Sequence, residues 1–190
     1  MPYPGAARRT TLFEGLRRID EDLAATAQAM CCPYCGGPLD SAPWQRRPRG
    51  VPTLRKEAWW RLGLCCRREG CRRRVLPPSA LFLGRKVYFA AVILISVAAR
   101  QRRLVGATAD ALNELFGMSR ATLKRWISFF RHDFPVSPLW KVLRGRITAG
   151  VRDDRLPDDL LAEFDRLHGP GEAALGACLT ALARAAIQAS

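Results

Sequence analysis

Apolar residues recur at three- and four-residue spacing over most of this chain and lose that rhythm in one stretch. Across residues 12–30, LFEGLRRIDEDLAATAQAM, the positions Leu12, Leu16, Ile19, Leu23 and Ala27 make one apolar stripe, which predicts an amphipathic helix. Glu14–Arg18 and Arg17–Glu21 add i,i+4 pairs worth a few tenths of a kcal/mol each. Residues 1–11 lack the stripe and are expected to be a short flexible arm. Residues 86–131 regain the helical period and divide into 86–102, 108–116 and 119–131, punctuated by Gly106 and Gly117. Pro135 and Pro138 suggest a turn before a short helix at 139–146. Residues 152–158, RDDRLPD, read as an acid-rich linker. Pro157 suits a first helical position, and Asp158 and Asp159 suit a helix N-terminus. That helix would end near Gly169-Pro170-Gly171, and an alanine-rich helix over 172–188 follows. No internal repeat is present.

Residues 31–80 are different. Prolines at 33, 38, 43, 48, 52, 77 and 78 and glycines at 36, 37, 50, 63 and 70 exclude a long helix and favour short strands joined by tight turns. Such a segment has little apolar content with which to build a core. The cysteines supply an alternative. Of the seven, six fall in two clusters, Cys31-Cys32-Pro33-Tyr34-Cys35-Gly36-Gly37 and Cys65-Cys66-Arg67-Arg68-Glu69-Gly70-Cys71, and Cys178 stands alone. Pairing Cys32 and Cys35 with Cys66 and Cys71 gives four thiolates on two turns, the donor set of a closed structural Zn2+ site. Gly36 lets the first turn relax and leaves backbone N–H groups near sulfur. Zinc bound in this way contributes about 10–16 kcal/mol to folding in small modules. The tandem cysteines leave the register open, since Cys31 or Cys65 can replace its neighbour. A redox pair at Cys32 and Cys35 lacks the usual strand-then-helix context. Cys178 reads as core, and His132 and His168 have no ligand partner in sequence. A catalytic zinc is not expected, because the few acids between Cys35 and Cys71, Glu57 and Glu69 among them, read as solvated surface charge.

Charge narrows the partner. Lys and Arg number 31 against 17 Asp and Glu, a net charge of +14. That excess points to a polyanion. Eleven Lys and Arg residues lie between Trp44 and Val75, among them Arg46, Arg47, Arg72, Arg73 and Arg74, interleaved with Trp44, Trp59 and Trp60. Arginine forks suit phosphate. The tryptophans serve either as base-stacking platforms or as local core, and Trp59 or Trp60 is expected to be structural. The longest apolar run, Val87 to Ala99, has 13 residues, short of the roughly 20 needed for a bilayer span, so it predicts a buried core helix and no membrane partner. The stretch Met1 to Arg9 has no apolar core of a secretory signal, so a cytoplasmic location is expected.

The segment Thr108 to Phe130, TADALNELFGMSRATLKRWISFF, has the pattern of a helix-turn-helix. Ala109, Leu112 and Phe116 share a face of the first helix. Gly117 allows the steep turn, Ser119 can cap the next helix, and Leu123, Trp126 and Ile127 form its buried side. The opposite side carries Arg120, Thr122, Lys124 and Arg125. In a recognition helix Arg120 would pair with guanine and Thr122 would contact a base or phosphate, while Lys124, Arg125 and Arg131 would contact phosphates. The plain alternative is a helical hairpin that binds no DNA.

Taken with these residues, Cys32-Pro33-Tyr34-Cys35-Gly36, Cys66 to Cys71, Arg72-Arg73-Arg74 and Phe82-Leu83-Gly84-Arg85-Lys86-Val87-Tyr88 give a region, roughly 31–131, that resembles the zinc-ribbon plus helix-turn-helix front part of bacterial insertion-sequence transposases. The resemblance implies recognition of element ends or of an operator. The four-residue spacing in the second knuckle departs from the usual two. No set of three spaced carboxylates for a two-metal nuclease is present, since the acids after 150 cluster in one linker and helix. The expected protein is therefore a non-enzymatic accessory or regulator. Its fold class is mainly α: an N-terminal helix at 12–30, a small zinc-ribbon-like basic module at 31–80, a three-helix helix-turn-helix unit at 86–131 and C-terminal helices at 139–189. Expected partners are double-stranded DNA and either a second copy of the chain or a transposition or regulatory protein. The competing reading is an adaptor in a nucleoprotein complex, whose arginines bind nucleic acid non-specifically and whose helices bind protein. An RNA-binding ribbon becomes the better reading if the tryptophans are exposed.

Overall fold

The computed structural model describes residues 6–46, 48–51, 60–84, 86–104, 106–148 and 150–189. Among them the chain is mainly helical, with five short strands. Helix α1, Ala6–Ala29, starts inside the stretch expected to be a flexible arm and runs to the first cysteine knuckle. Its buried stripe is Phe13, Leu16, Asp20 and Leu23, with Leu12 and Ile19 half-buried, so one carboxylate sits in a line of apolar side chains.

Strands β1 (Leu39–Ser41), β4 (Leu64–Cys66) and β5 (Arg74–Val75) form an antiparallel sheet in the order β1-β4-β5, with Leu39 opposite Cys66 and Leu64 opposite Val75. β2 (Trp44–Gln45) pairs with β3 (Trp60–Arg61) and continues the β1–β4 hairpin. Gly63 is required there. A Cβ on it would lie 2.1 Å from the Trp44 ring, so Trp44 packs on bare backbone. Arg47 and Trp59 lie outside the described residues. Of the two tryptophans of which one is expected to be structural, Trp60 is the one described: it is 38% exposed, and its carbonyl accepts from Arg17 Nη1 at 3.0 Å.

Helix α2, Ala90–Gln101, begins four residues later than the helix expected over 86–102. Tyr88 and Phe89 stay extended because they form β-bridges with Arg49 and Phe82. From Ala90 to Leu94, and again at Ser96 to Ala98, the helix is buried on all sides, in keeping with a core helix. No helix among the described residues is long and apolar enough to cross a membrane.

Helices α3 (Ala109–Phe116) and α4 (Arg120–Ser128) follow, each with a side-chain cap. Thr108 accepts from the Ala111 N–H and Ser119 from the Thr122 N–H, as such residues do at N-caps. Gly117 between them has φ +63°, a left-handed conformation that closes α3. The third helical stretch does not run unbroken to residue 131. After Ser128 the backbone widens into a π-turn, Phe129–Asp133, closed by the Phe134 N–H on the Phe129 carbonyl at 2.8 Å. Widening turns Phe130 and Phe134 inward, where their rings meet at 5.2 Å and Phe134 meets Trp140 at 5.5 Å.

Helices α5 (Pro138–Arg144), α6 (Asp158–His168) and α7 (Glu172–Gln188) complete the chain. Residues 152–158 do not behave as a linker. Asp153–Arg155 form a 3-10 turn, and Val151 and Leu156 flanking it are buried. Trp140 Nε1 donates to Asp153 and Gln101 Nε2 to the Leu156 carbonyl. Pro157 precedes α6 rather than opening it. Asp158 is buried because Arg102 and Arg155 both pair with it. Helix α7 lies against α1, α5 and α6, and Gly176 lets Leu12 approach within 3.3 Å of where a Cβ would be. One apolar cluster thus joins α1 to α7, while a second, small one lies beneath the cysteine sheet.

Candidate metal centre and basic surfaces

The two knuckles are built by local hydrogen bonds. The Gly36 N–H returns to the Cys32 carbonyl at 2.8 Å, with Gly36 at φ +66°, and the Cys32 N–H reaches the Gly37 carbonyl. Gly37 is tight: a Cβ there would stand 3.2 Å from Cys66 Sγ and 3.3 Å from Cys35 Sγ. The second knuckle closes through the Cys71 and Arg72 N–H groups on the Arg68 carbonyl. Strand pairing then brings the knuckles together. The Sγ atoms of Cys32, Cys35, Cys66 and Cys71 all lie within 4.8 Å of one another, with Cys32–Cys71 at 3.8 Å and Cys35–Cys66 at 3.5 Å. A tetrahedral ion with metal–sulfur bonds of about 2.3 Å spaces its sulfurs at about 3.8 Å. Four thiolates so arranged can hold a metal.

The tandem cysteines separate cleanly. Cys31, at φ +61°, turns its thiol toward the Ala29 carbonyl, and Cys65 turns to the Arg72 carbonyl. Backbone N–H groups point at the clustered sulfurs: Gly37 at Cys35, Arg68 at Cys66 and Arg73 at Cys71. The Gly37 N–H holds the Cys35 thiol down at about 7. Burial pushes Cys66 up to about 12 in the absence of an ion. A cation would relieve that penalty, and metal uptake would release protons. Cys178 is buried on α7, where burial raises its pKa, consistent with a core thiol.

The arginines of the cysteine module sort into surface and interior. Arg72, Arg73 and Arg74 are exposed, and Arg73 lies 4.6 Å over the exposed Tyr34 ring. Arg67 is engaged by Asp40 in a bidentate pair. Arg46 is half-buried near Arg61, whose charge it repels. Arg61 itself is 2% exposed, and burial pulls its pKa down to about 10. Composition gave no signal for this inward turn, because Arg61 sits among arginines of identical type.

On α3, α4 and the turn between them, Leu112, Met118, Leu123 and Trp126 are buried. Tyr88 pins the turn, its hydroxyl donating to the Gly117 carbonyl at 2.9 Å and its ring meeting Trp126 edge-on at 4.8 Å. Sequence patterning missed Tyr88 because it lies 29 residues away in the chain. The outer face of α4 carries Arg120, Lys124 and Arg125, with Arg131 exposed on the π-turn. Arg120 forms a bidentate pair with Asp110, at 3.0 and 2.5 Å, which holds its pKa above the usual arginine value. Thr122 is half-buried, and its hydroxyl contacts Ser119 and Arg125. Lys124 is exposed between them.

No protein-family model matches this chain, and no curated protein or solved structure matches it either.

Proposed function

We propose that the protein is a zinc-stabilised reader of double-stranded DNA in which α4 enters the major groove. The observation that carries this reading is the anchoring of α4. Leu123 and Trp126 fix one face in the core while Arg120, Lys124 and Arg125 stand on the other, in a chain of net charge +14. A short capped helix with its N-terminal half projecting is the geometry by which recognition helices reach base edges. The Asp110 clamp on Arg120 does not oppose this role. Both side chains are about 70% exposed, and exposed pairs contribute about 0.2–1 kcal/mol, against about 1–3 kcal/mol for a bidentate arginine–guanine contact. DNA would win that competition.

The four clustered cysteines would hold Zn2+, the ion that four thiolates in tetrahedral array favour. Its role is structural. It fixes the knuckles that present Arg72, Arg73 and Arg74 as a second phosphate-binding surface. The resemblance to the front part of insertion-sequence transposases makes element ends or an operator the proposed target.

Selection from random double-stranded DNA with the zinc-loaded full chain, at about 150 mM salt, tests the reading. The expected result is an enriched motif, lost when Arg120 and Lys124 are replaced by alanine in a chain that still folds. If roughly six arginines and lysines touch phosphates, log affinity falls with log salt at a slope of about −5. Salt-sensitive binding without an enriched motif would overturn the reader and favour the nucleoprotein adaptor.

A further inference from the structure

Tyr34 stands between two of the clustered cysteines and belongs to neither apolar cluster. It is 59% exposed, and Pro33 and Gly36 beside it are exposed as well. Two arginines from the other knuckle and its exit meet it there. Arg73 lays its guanidinium over the Tyr34 ring, 4.6 Å from the centroid. Arg68 crosses the first knuckle, its Nη1 donating to the Cys35 carbonyl at 2.8 Å. Arg72 has φ +44°, a left-handed conformation that glycine favours and arginine rarely adopts. Its N–H on the Arg68 carbonyl at 3.2 Å holds that turn, and the turn sets the direction in which Arg73 leaves the knuckle.

These cations are not occupied by carboxylates. Arg68, Arg72, Arg73 and Arg74 are all exposed, and none of them forms an ion pair among the described residues. Asp40 is taken by the bidentate pair with Arg67, and Glu69 is the one acid within the second knuckle. An aromatic ring open to solvent beside unpaired arginines is the combination that holds single-stranded nucleic acid, where bases stack on the ring and cations track the backbone. A fully paired duplex offers phosphates to such a surface but no free base face.

We propose that the first knuckle stacks an unpaired DNA base on Tyr34, with Arg68, Arg72 and Arg74 on the flanking phosphates, so that the protein prefers duplex bearing a single-stranded end over blunt duplex. Arg73 covers one face of the ring, and the base takes the other. This rests on the reading of the chain as a DNA binder and adds a second element to its target: α4 reads paired sequence, and the knuckle reads an adjoining unpaired base.

Fluorescence anisotropy of the zinc-loaded full chain at about 150 mM salt tests the site, with a duplex of about 20 base pairs that is blunt, carries about five unpaired thymidines at either end, or carries the same overhang made abasic. The thymidine overhang should tighten binding about 10-fold, equal to about 1.4 kcal/mol. The abasic overhang keeps the phosphates and removes the bases, so it should bind within about 2-fold of the blunt duplex. Tyr34→Ala should cancel the gain and Tyr34→Trp should keep it, both with unchanged zinc content. The abasic probe needs no variant, so it decides the matter even where Tyr34→Ala fails to load zinc. Equal affinity for blunt and overhang duplex, a gain kept by the abasic overhang, or a gain kept by zinc-loaded Tyr34→Ala would each overturn the proposal. An enriched duplex motif without an overhang gain removes the knuckle site and leaves the α4 reader. An overhang gain without an enriched motif removes the reader and leaves the knuckle site.

Discussion

Stripping metal from the cysteine cluster should unfold the sheet and spare the helices. The sheet has almost no core of its own. Its apolar cluster is Leu39 and Leu64 with Cys32 and Cys66, flanked by the partly buried Ala27 and Val75. Two buried leucines contribute about 3–6 kcal/mol. Holding the about 22 residues of 32–41 and 64–75 in one conformation costs about 22 kcal/mol at about 1 kcal/mol each. A four-thiolate zinc contributes about 10–16 kcal/mol. Metal and leucines together therefore supply the larger part of the ordering cost, and ladder hydrogen bonds at about 1 kcal/mol each add to it. Without the ion the deficit exceeds about 10 kcal/mol. The helical cluster contains neither these leucines nor the clustered cysteines, so it should survive. Amide hydrogen exchange read by mass spectrometry, before and after excess chelator, is the assay. Exchange should accelerate at residues 39–41 and 64–66 and stay slow in α2 and α7. Unchanged exchange in the sheet of a chain proven metal-free would refute the energetic argument. Simultaneous loss of α2 and α7 would refute the independence of the two cores.

Three further outcomes follow from single contacts. Gly63→Ala drives a methyl into the Trp44 ring and should cost about 2–3 kcal/mol in urea unfolding, with Trp44→Ala in the same chain recovering part of the loss. Tyr88→Phe removes the hydroxyl bond to the Gly117 carbonyl and should cost about 1 kcal/mol, leaving the edge-on Trp126 contact in place. A loss below about 0.3 kcal/mol would mean that the hydroxyl does not hold the turn. Asp159 is held below its ordinary pKa by hydrogen bonds from the Arg152 side chain, with burial opposing. Its unfolded form therefore protonates first, so its contribution is complete above about pH 4 and fades as pH falls through the native value. Asp159→Asn should lower stability at pH 7 and flatten the acid limb of the stability profile below pH 4, and an unchanged limb would count against the pair.

Local chemistry made much of this molecule legible in its sequence. Helix α7 spans 172–188 as its alanine-rich pattern predicts, and Ser119 caps α4 as its position before Arg120 suggests. The four cysteines meet as two spaced pairs, because each knuckle is closed by hydrogen bonds within a few residues. Other features depended on partners far away in the chain. Asp20 lies in a stripe otherwise apolar, and only Ser79 and Ala80, about 60 residues on, make its burial tolerable. Tyr88 and Phe89 look helical until Arg49 and Phe82 hold them extended. The acidic stretch at 152–158 reads as a linker until Arg102, Gln101 and Trp140 draw it into the core. By itself the sequence determined the helical periods, the caps and the thiolate spacing, since these need only near neighbours. The tertiary structure alone decided which charges turn inward and which cysteine of each tandem pair joins the cluster, because burial and strand register are set by residues that meet only when the chain has folded.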